Sequence, residues 1–328
     1  LAAISCHLVW APLLKKRLSI TALHDLPWHF RVFSALVGAS IPSQCQQPGA
    51  ICGVPHQELL ASWSFGEVTY LALLHNRPSA EDLFDLSILL GLVASNGPGT
   101  ISAQGAKGAV SADGPEAPER VQINKAYIGF LSHAGYAHGG NGFEAMSFLL
   151  KQFRDRGLRD PGDPDHGLDL ADMAMAYATE YKGYKHQAKE EGNLSYYKIP
   201  CINHPVFKGK AVNYDPREVF VRDLILQRGG YNVFLEYYHH LVDALAKVGV
   251  SANVYCVNID AVIATILLKM LWVPYVEGRI SEEMLERAAF TVFLYSRMIG
   301  SAAEIEDHIN RGRDLDTRTP ASLCTFVS

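Results

Sequence analysis

Ser132-His133-Ala134-Gly135-Tyr136-Ala137-His138-Gly139-Gly140-Asn141-Gly142-Phe143-Glu144-Ala145-Met146 is the stretch around which the chain is organised. A histidine stands directly before two glycines, a third glycine follows at Gly142, and an apolar run at helical spacing continues to Phe153. Glycines beside a polar side chain admit backbone or ligand at distances a Cβ would forbid. His138 reads either as a surface or capping residue in a Gly-rich loop, or as a residue against which something binds. The choice turns on two later stretches, around His204 and Asp260.

Working outward, apolar residues recur at helical spacing over most of the chain. Helix-like spacing near Leu8–Leu23 gives way to a loop rich in Gly, Pro, Gln and Ser from Gly38 to Pro55. Helices are predicted over Glu58–Leu74, stopped by Asn76-Arg77-Pro78, and through Leu83, Leu86, Leu89, Leu90 and Val93, with Ser79 and Asp82 as caps. This last helix ends at Ser95-Asn96-Gly97-Pro98, which either caps the helix with Gly97 or presents Asn96 to a ligand. Gln104–Glu119, rich in Gly, Ala and Pro, is expected to be mobile or loosely packed. Its Gly105-Ala106-Lys107-Gly108 fails the phosphate-loop pattern, because no Gly-Lys-Ser/Thr follows a strand.

Helical spacing returns over Val121–Leu131, Phe143–Phe153 and Leu170–Lys189, with a charged surface connection at Arg154–Asp169. Asp215-Pro216-Arg217 opens a helix to about Gln227, with Pro in its first turn. Further helices are predicted over Asn232–Val248, Ala261–Leu271 and Ser281–Asn310. Strand signals are few, and the fold class is mainly α.

The 328 residues suffice for a large core in more than one lobe. With 48% hydrophobic and 19% charged residues, the composition is that of a globular enzyme or subunit. A net charge of -5 argues against nucleic acid, and the run near the start, broken by His7, Pro12 and Lys15, is too short to span a membrane. The six cysteines are scattered without a Cys-x-x-Cys pair, so reduced thiols in a cytosol-like compartment are expected. The absence of an initiator Met at Leu1 reads as a trimmed, partly observed or processed chain.

His138, His204 and Asp260 each place a titratable group beside a turn or helix end. Each also has a plain structural role open to it, and Asp260 in particular reads as an N-cap of the helix that follows. Metal binding is not expected: His133 and His138 fall off a common helix face, and His239-His240 are adjacent. No Gly-x-Ser-x-Gly elbow appears.

Taken in order, these stretches resemble the citrate synthase superfamily. Tyr136-Ala137-His138-Gly139-Gly140-Asn141 is similar to its Pro-Leu-His-Gly-Gly-Ala loop. Ile202-Asn203-His204-Pro205-Val206-Phe207-Lys208 with Asp215-Pro216-Arg217 resembles Gly-x-Gly-His-x-Val-Tyr-Lys and Asp-Pro-Arg. Val257-Asn258-Ile259-Asp260 resembles Pro-Asn-Val-Asp, and Ser296-Arg297-Met298-Ile299-Gly300 resembles Ser-Arg-Thr-x-Gly. Asn96-Gly97-Pro98 and Arg318-Thr319-Pro320 resemble the citryl-CoA lyase module of ATP-citrate lyase, whereas the intact His138-Gly139-Gly140 has the citrate synthase form. The module's histidine is Asn96 here, which hydrogen-bonds a carboxylate without charge. That exchange weakens substrate binding by about 1–2 kcal/mol if nothing compensates.

The resemblance implies a two-lobed helical homodimer with large-domain parts at 1–138 and 268–328 and a small coenzyme A-binding domain at 139–267. It implies a carbon–carbon lyase or acyltransferase: a citryl-CoA lyase forming acetyl-CoA and oxaloacetate through an enolate, or alternatively a citrate or 2-methylcitrate synthase, or a non-catalytic binding subunit. Asp260 would be the base, His138 the enolate partner and His204 the carbonyl partner. Asn96, Arg217, Arg297 and, across the dimer, Arg318 would hold substrate carboxylates. Lys198, Ile199, Pro200, Cys201, Ile202 and Asn203 would meet coenzyme A. No tightly bound cofactor or metal is implied, a CoA-ligase partner is possible, and the expected compartment is the cytoplasm, or the mitochondrial matrix in a eukaryote.

Overall fold

The structure, a computed structural model, describes residues 2–18, 20–41, 43–94, 99–112, 123–135, 138–193, 195–203, 215–250 and 255–310. These residues form thirteen α-helices and three two-residue strands, which is the mainly helical fold the spacing predicts. The described chain forms two compact units, one comprising residues up to Gly139 and from Thr291 onward, the other Gly140–Phe290.

The first unit starts with α1 (Ala2–Leu14) and α2 (Ile20–Ser40). The expected loop after Gly38 is instead a small antiparallel meander: β1 (Gln46–Gln47), β2 (Ala50–Ile51) and β3 (Val54–Pro55). Strands of two residues show no period-2 alternation, so only their turns were there to be read. Next come α3 (His56–Ser62), α4 (Phe65–Leu74) and α5 (Ala80–Leu92). Ser64 with Glu67 and Ser79 with Asp82 form reciprocal capping boxes at the starts of α4 and α5.

The stretch from Gln104 corrects the expectation of looseness. Residues 101–111 are helix α6 (Ile101–Ser111), which packs on α7 (Ile123–Ser132). The glycines are the reason: a Cβ built on Gly105 would lie 2.4 Å from the Gly129 carbonyl oxygen, and one on Gly129 equally close to that of Gly105. Small residues here let two backbones touch, so a composition suggestive of mobility marks a tight crossing. Ala106, Val110, Ala126, Tyr127 and Phe130 from this pair form a core with Met298, Ile305 and Ile309 of α13 (Glu282–Asn310). The remainder of the predicted loop, to Glu119, lies outside the described residues.

The second unit contains α8 (Asn141–Phe153), α9 (Leu170–Glu190), α10 (Pro216–Gln227), α11 (Val233–Lys247) and α12 (Ile259–Val276). Asp215 caps α10 ahead of Pro216, and Asn232 caps α11. α12 is apolar and long enough to cross a membrane, but most of it is buried; it packs on α8, α10 and α11. Phe153, Phe234 and Trp272 make edge contacts within this core, and the Trp272 indole N–H donates to the Leu158 carbonyl at 2.9 Å. That packing explains a difference in boundary. The chain leaves this unit at Phe290, inside α13, rather than at 267, because a cut at 267 would divide the buried α12.

Candidate active site

In the first unit, His138 closes a tight loop. The Gly135 amide donates to the His138 carbonyl at 3.1 Å and the His138 amide to the Gly135 carbonyl at 2.9 Å. Gly139 follows with φ 114°, a conformation that L side chains rarely adopt. The imidazole Nε2 lies 2.8 Å from the hydroxyl of Ser102, a fully buried residue in the first turn of α6. Phe293 presents an edge-on ring 5.4 Å away. The same aromatic is met by Arg297, whose guanidinium carbon sits 5.3 Å from the ring centroid. Arg297 is only 5% exposed, and its Nε donates to the Val93 carbonyl at 2.7 Å. Two of the predicted site residues, His138 and Arg297, are thus brought to the same phenylalanine. Ser102 and Phe293 were missed: a serine in a Gly/Ala-rich stretch and an apolar helix residue carry no local signal.

In the second unit, the site is built at the start of α12. Asn258 is the N-cap, its Oδ1 accepting the Asp260 amide at 2.9 Å. The Ile259 amide is taken by Asp215 Oδ2 at 3.2 Å. Asp260 therefore is not the cap that its sequence position allowed. Its carboxylate stands in the first helical turn, where the positive end of the helix dipole favours negative charge.

The segment before His204 pairs with the one before Asp260. Ile202 bridges Val257, the Asn203 amide donates to the Cys256 carbonyl at 2.8 Å, and the Asn258 amide donates to the Cys201 carbonyl at 2.9 Å. The Asn203 side chain accepts the Cys256 amide, and the Asn258 side chain donates to the Asn203 carbonyl. Cys201 and Asn203 have φ of 57° and 68°. These are the positions at which the resembled motif carries its two glycines, so the backbone keeps a glycine-like path with side chains present. Burial, followed by the charges of Asp260 and Glu144, pushes the Cys201 thiol well above its ordinary range. Of the six residues expected to meet coenzyme A, Cys201, Ile202 and Asn203 are committed to this pairing, Lys198 is exposed and Pro200 is buried.

Arg217 lies in the first turn of α10, held by a two-pronged ion pair. Its Nε donates to Asp215 Oδ1 at 3.1 Å and its Nη2 to Oδ2 at 2.9 Å. The Asp215 carboxylate has no exposed surface. Burial alone would raise its pKa, but bonds from the Arg217 side chain and backbone, the Arg217 charge and the Ile259 amide outweigh burial and hold it below the ordinary value. One carboxylate thus ties Arg217 to the helix start that carries Asp260. Three other predicted site residues, Asn96, His204 and Arg318, lie outside the described residues.

No family model matches the sequence, and no curated protein matches it. Among solved structures, the chain is similar to citryl-CoA lyase from Hydrogenobacter thermophilus, with a TM-score of 0.59 at 18% identity over 83% of this chain and 87% of that one. It is similar to ATP citrate lyase from Methanothrix soehngenii, solved with citrate and coenzyme A, with a TM-score of 0.58 at 18% identity over 86% of this chain and 40% of that one. This chain therefore spans less than half of the ATP citrate lyase polypeptide. It is also similar to citrate synthase from Thermoplasma acidophilum, solved in ternary complex with carboxymethyl coenzyme A and oxaloacetate, with a TM-score of 0.55 at 15% identity over 97% and 71% of the two chains. The chain thus has a citrate synthase-like fold, one it shares with citryl-CoA lyase.

Proposed function

We propose that the protein is a citryl-CoA lyase, breaking the carbon–carbon bond of citryl-CoA to give acetyl-CoA and oxaloacetate. The observation that carries this reading is the release of Asp260 from capping: Asn258 and Asp215 serve the amides at the start of α12. The start of α12 thus presents a carboxylate in its first turn, the residue type that moves a proton at carbon.

In the cleavage direction, His204 takes the proton of the citryl hydroxyl as the carbon–carbon bond breaks and the oxaloacetate carbonyl forms. The electron pair passes to the acetyl fragment as an enolate of the thioester. His138 hydrogen-bonds the thioester oxygen as it gains charge, and this stabilises the transition state more than the ground state. Protonated Asp260 then delivers its proton to the methylene carbon, giving the acetyl group. Arg217, through the guanidinium edge that Asp215 does not hold, and Arg297, through its terminal nitrogens, would bind carboxylates, with Asn96 and the partner-borne Arg318 completing the set. Coenzyme A enters as part of the substrate, against the Lys198–Pro200 stretch.

The sequences Asn96-Gly97-Pro98 and Arg318-Thr319-Pro320, which resemble the lyase module, support lyase over synthase, which shares the same three groups and adds hydrolysis of the thioester. The test supplies citryl-CoA and follows oxaloacetate with malate dehydrogenase, and free thiol separately. Oxaloacetate without thiol is expected. Thiol with citrate would mean hydrolysis and would overturn the lyase reading, and neither product would overturn catalysis altogether.

A further inference from the structure

The proposed chemistry leaves a pair of thiols in the first unit unused. β1 and β2 pair antiparallel, with Gln46 opposite Ile51 and Gln47 opposite Ala50. Just beyond the ladder, Cys45 closes a short 3-10 turn (Ser43–Cys45) and Cys52 opens the turn after β2. The Cys52 amide donates to the Cys45 carbonyl at 2.7 Å. By covalent geometry a direct bond of this kind keeps the two Cα atoms within about 7 Å, the limit beyond which a disulfide needs backbone movement.

The side chains also agree in direction. Cys45 and Cys52 pack against the same cluster of Val37, Ile41, Ala72 and Tyr295. Cys52 is held there by a tight turn between Ile51 and Val54, with φ of 48° at Cys52 and 77° at Gly53, the positive φ values of a type I′ hairpin turn. Its thiol also reaches the Leu71 carbonyl at 3.9 Å. Burial, then the hydrogen bond and charge of the Cys45 sulfur, pushes the Cys52 thiol up to about 12. Both residues are partly exposed rather than sealed.

We propose that Cys45 and Cys52 form a reversible dithiol–disulfide site that exchanges with small external disulfides of the glutathione type. In the first step the Cys45 thiol loses its proton and its sulfur attacks one sulfur of the external disulfide. That S–S bond breaks, and one external thiolate leaves and takes up the proton. In the second step the Cys52 sulfur, losing its own proton, attacks Cys45 Sγ of the mixed disulfide and expels the second external thiol. Two protein thiols are oxidised to one disulfide, and one external disulfide is reduced to two thiols. Cys45 attacks first because burial keeps the Cys52 thiol from ionising, and the second step is intramolecular, between two residues joined through their backbones and packed on one cluster. Expectation from sequence was of scattered, unpaired thiols; a separation of seven residues becomes a pair only when the chain folds back at Pro48-Gly49.

The experiment treats the whole purified chain with glutathione disulfide, quenches with acid, alkylates under denaturing conditions and weighs the peptides. The peptide carrying Cys45 and Cys52 is expected to lose the mass of two hydrogens, to resist alkylation, and to regain both thiols with reduced glutathione. Alkylatable thiols should fall by two from the six in the sequence. Cys52→Ser should instead accumulate a glutathione mixed disulfide on Cys45. Wild-type protein in which both cysteines remain alkylatable, or carry separate glutathione adducts, while a control dithiol peptide closes in the same tube, would overturn the proposal. The wild-type measurement decides even if the variant misfolds, and none of these readouts depends on the activity proposed above.

Discussion

Asp215 Oδ2 is shared between Arg217 Nη2 at 2.9 Å and the Ile259 amide at 3.2 Å, so a single buried oxygen joins the start of α10 to the start of α12. Because this carboxylate is fully buried while the guanidinium is about one-third exposed, the two partners are not equivalent. Removing Arg217 leaves a buried carboxylate without its main counter-charge, whereas removing Asp215 leaves an arginine able to turn to water. Arg217→Ala should therefore cost more stability than Asp215→Asn, on the order of 3 kcal/mol against 1–2 kcal/mol. Urea unfolding at neutral pH measures both, and a larger loss for Asp215→Asn would contradict the ordering.

The same pair sets an acid limit. The Asp215 carboxyl lies below its ordinary value of 3.8 in the folded chain. A depressed folded pKa adds stability that is complete above the unfolded value and is lost as pH falls through the folded one. The stability gap between wild type and Asp215→Asn should be constant from pH 7 to about pH 5 and shrink below about pH 4. Thermal scans at a series of pH values check this, and a gap that widens on acidification would contradict it.

Ser102 acts through His138. A hydroxyl 2.8 Å from Nε2 fixes the ring and the nitrogen presented elsewhere. Ser102→Ala removes one oxygen from a fully buried site and leaves that nitrogen short of a partner. Turnover should fall about tenfold to a hundredfold, equivalent to about 1.4–2.7 kcal/mol of transition-state stabilisation, with KM for the CoA thioester changed less than threefold. Ser102→Thr, which keeps the hydroxyl, should recover part of the rate. Equal losses in both variants would point to packing instead.

Much of this architecture was legible because its helices are long and periodic. Ser79 with Asp82, and Asp215 before Pro216, announced helix starts that the structure confirms with side-chain caps. Helix α6 was not legible, because Gly105 and Gly108 are poor helix formers and the role of Gly105 emerges only against Gly129. The Ser102–His138 bond joins residues 36 apart, a separation with no local trace. The loop glycines around His138 pointed to close approach, and Gly139 does adopt a conformation suited to glycine. At Cys201 and Asn203 the same backbone need is met by residues that hide it. Local pattern reports periodicity and caps; it does not report which distant residue completes a polar group's hydrogen bonds.

A second polar cluster makes the opposite pH prediction. Asp25 on α2 faces Glu306 of α13, and burial first, then the charge and hydrogen bond of Glu306, raise its carboxyl from 3.8 to about 7. His29 extends the cluster, with Nε2 3.0 Å from Glu306 and Nδ1 2.8 Å from the Tyr127 hydroxyl. A raised folded pKa means that the folded chain holds a proton the unfolded chain has released. The associated stability is complete below about pH 3.8 and declines as pH rises through about 7. Asp25→Asn removes this titration, so its melting temperature should gain on that of wild type between pH 5 and pH 8. A constant difference across that interval would show that Asp25 does not hold the proton.

Asp260 and Asn258 separate capping from chemistry. Asn258 accepts the Asp260 amide and donates to the Asn203 carbonyl, so it secures both the start of α12 and the pairing with the segment before His204. Asn258→Ala should lose about 1–2 kcal/mol, the usual value of an N-cap with a further hydrogen bond. Asp260→Asn touches neither bond and keeps the size of the side chain, so it should lose less stability than Asn258→Ala. Its turnover should fall a thousandfold or more, since general acid–base catalysis alone contributes about 10²–10⁴ and the proposed cleavage has no other donor at carbon. The paired measurement is urea unfolding and oxaloacetate release from citryl-CoA on both variants. A stable, active Asp260→Asn would remove the proton donor from the scheme, and an unstable one would return Asp260 to a structural role at the helix start.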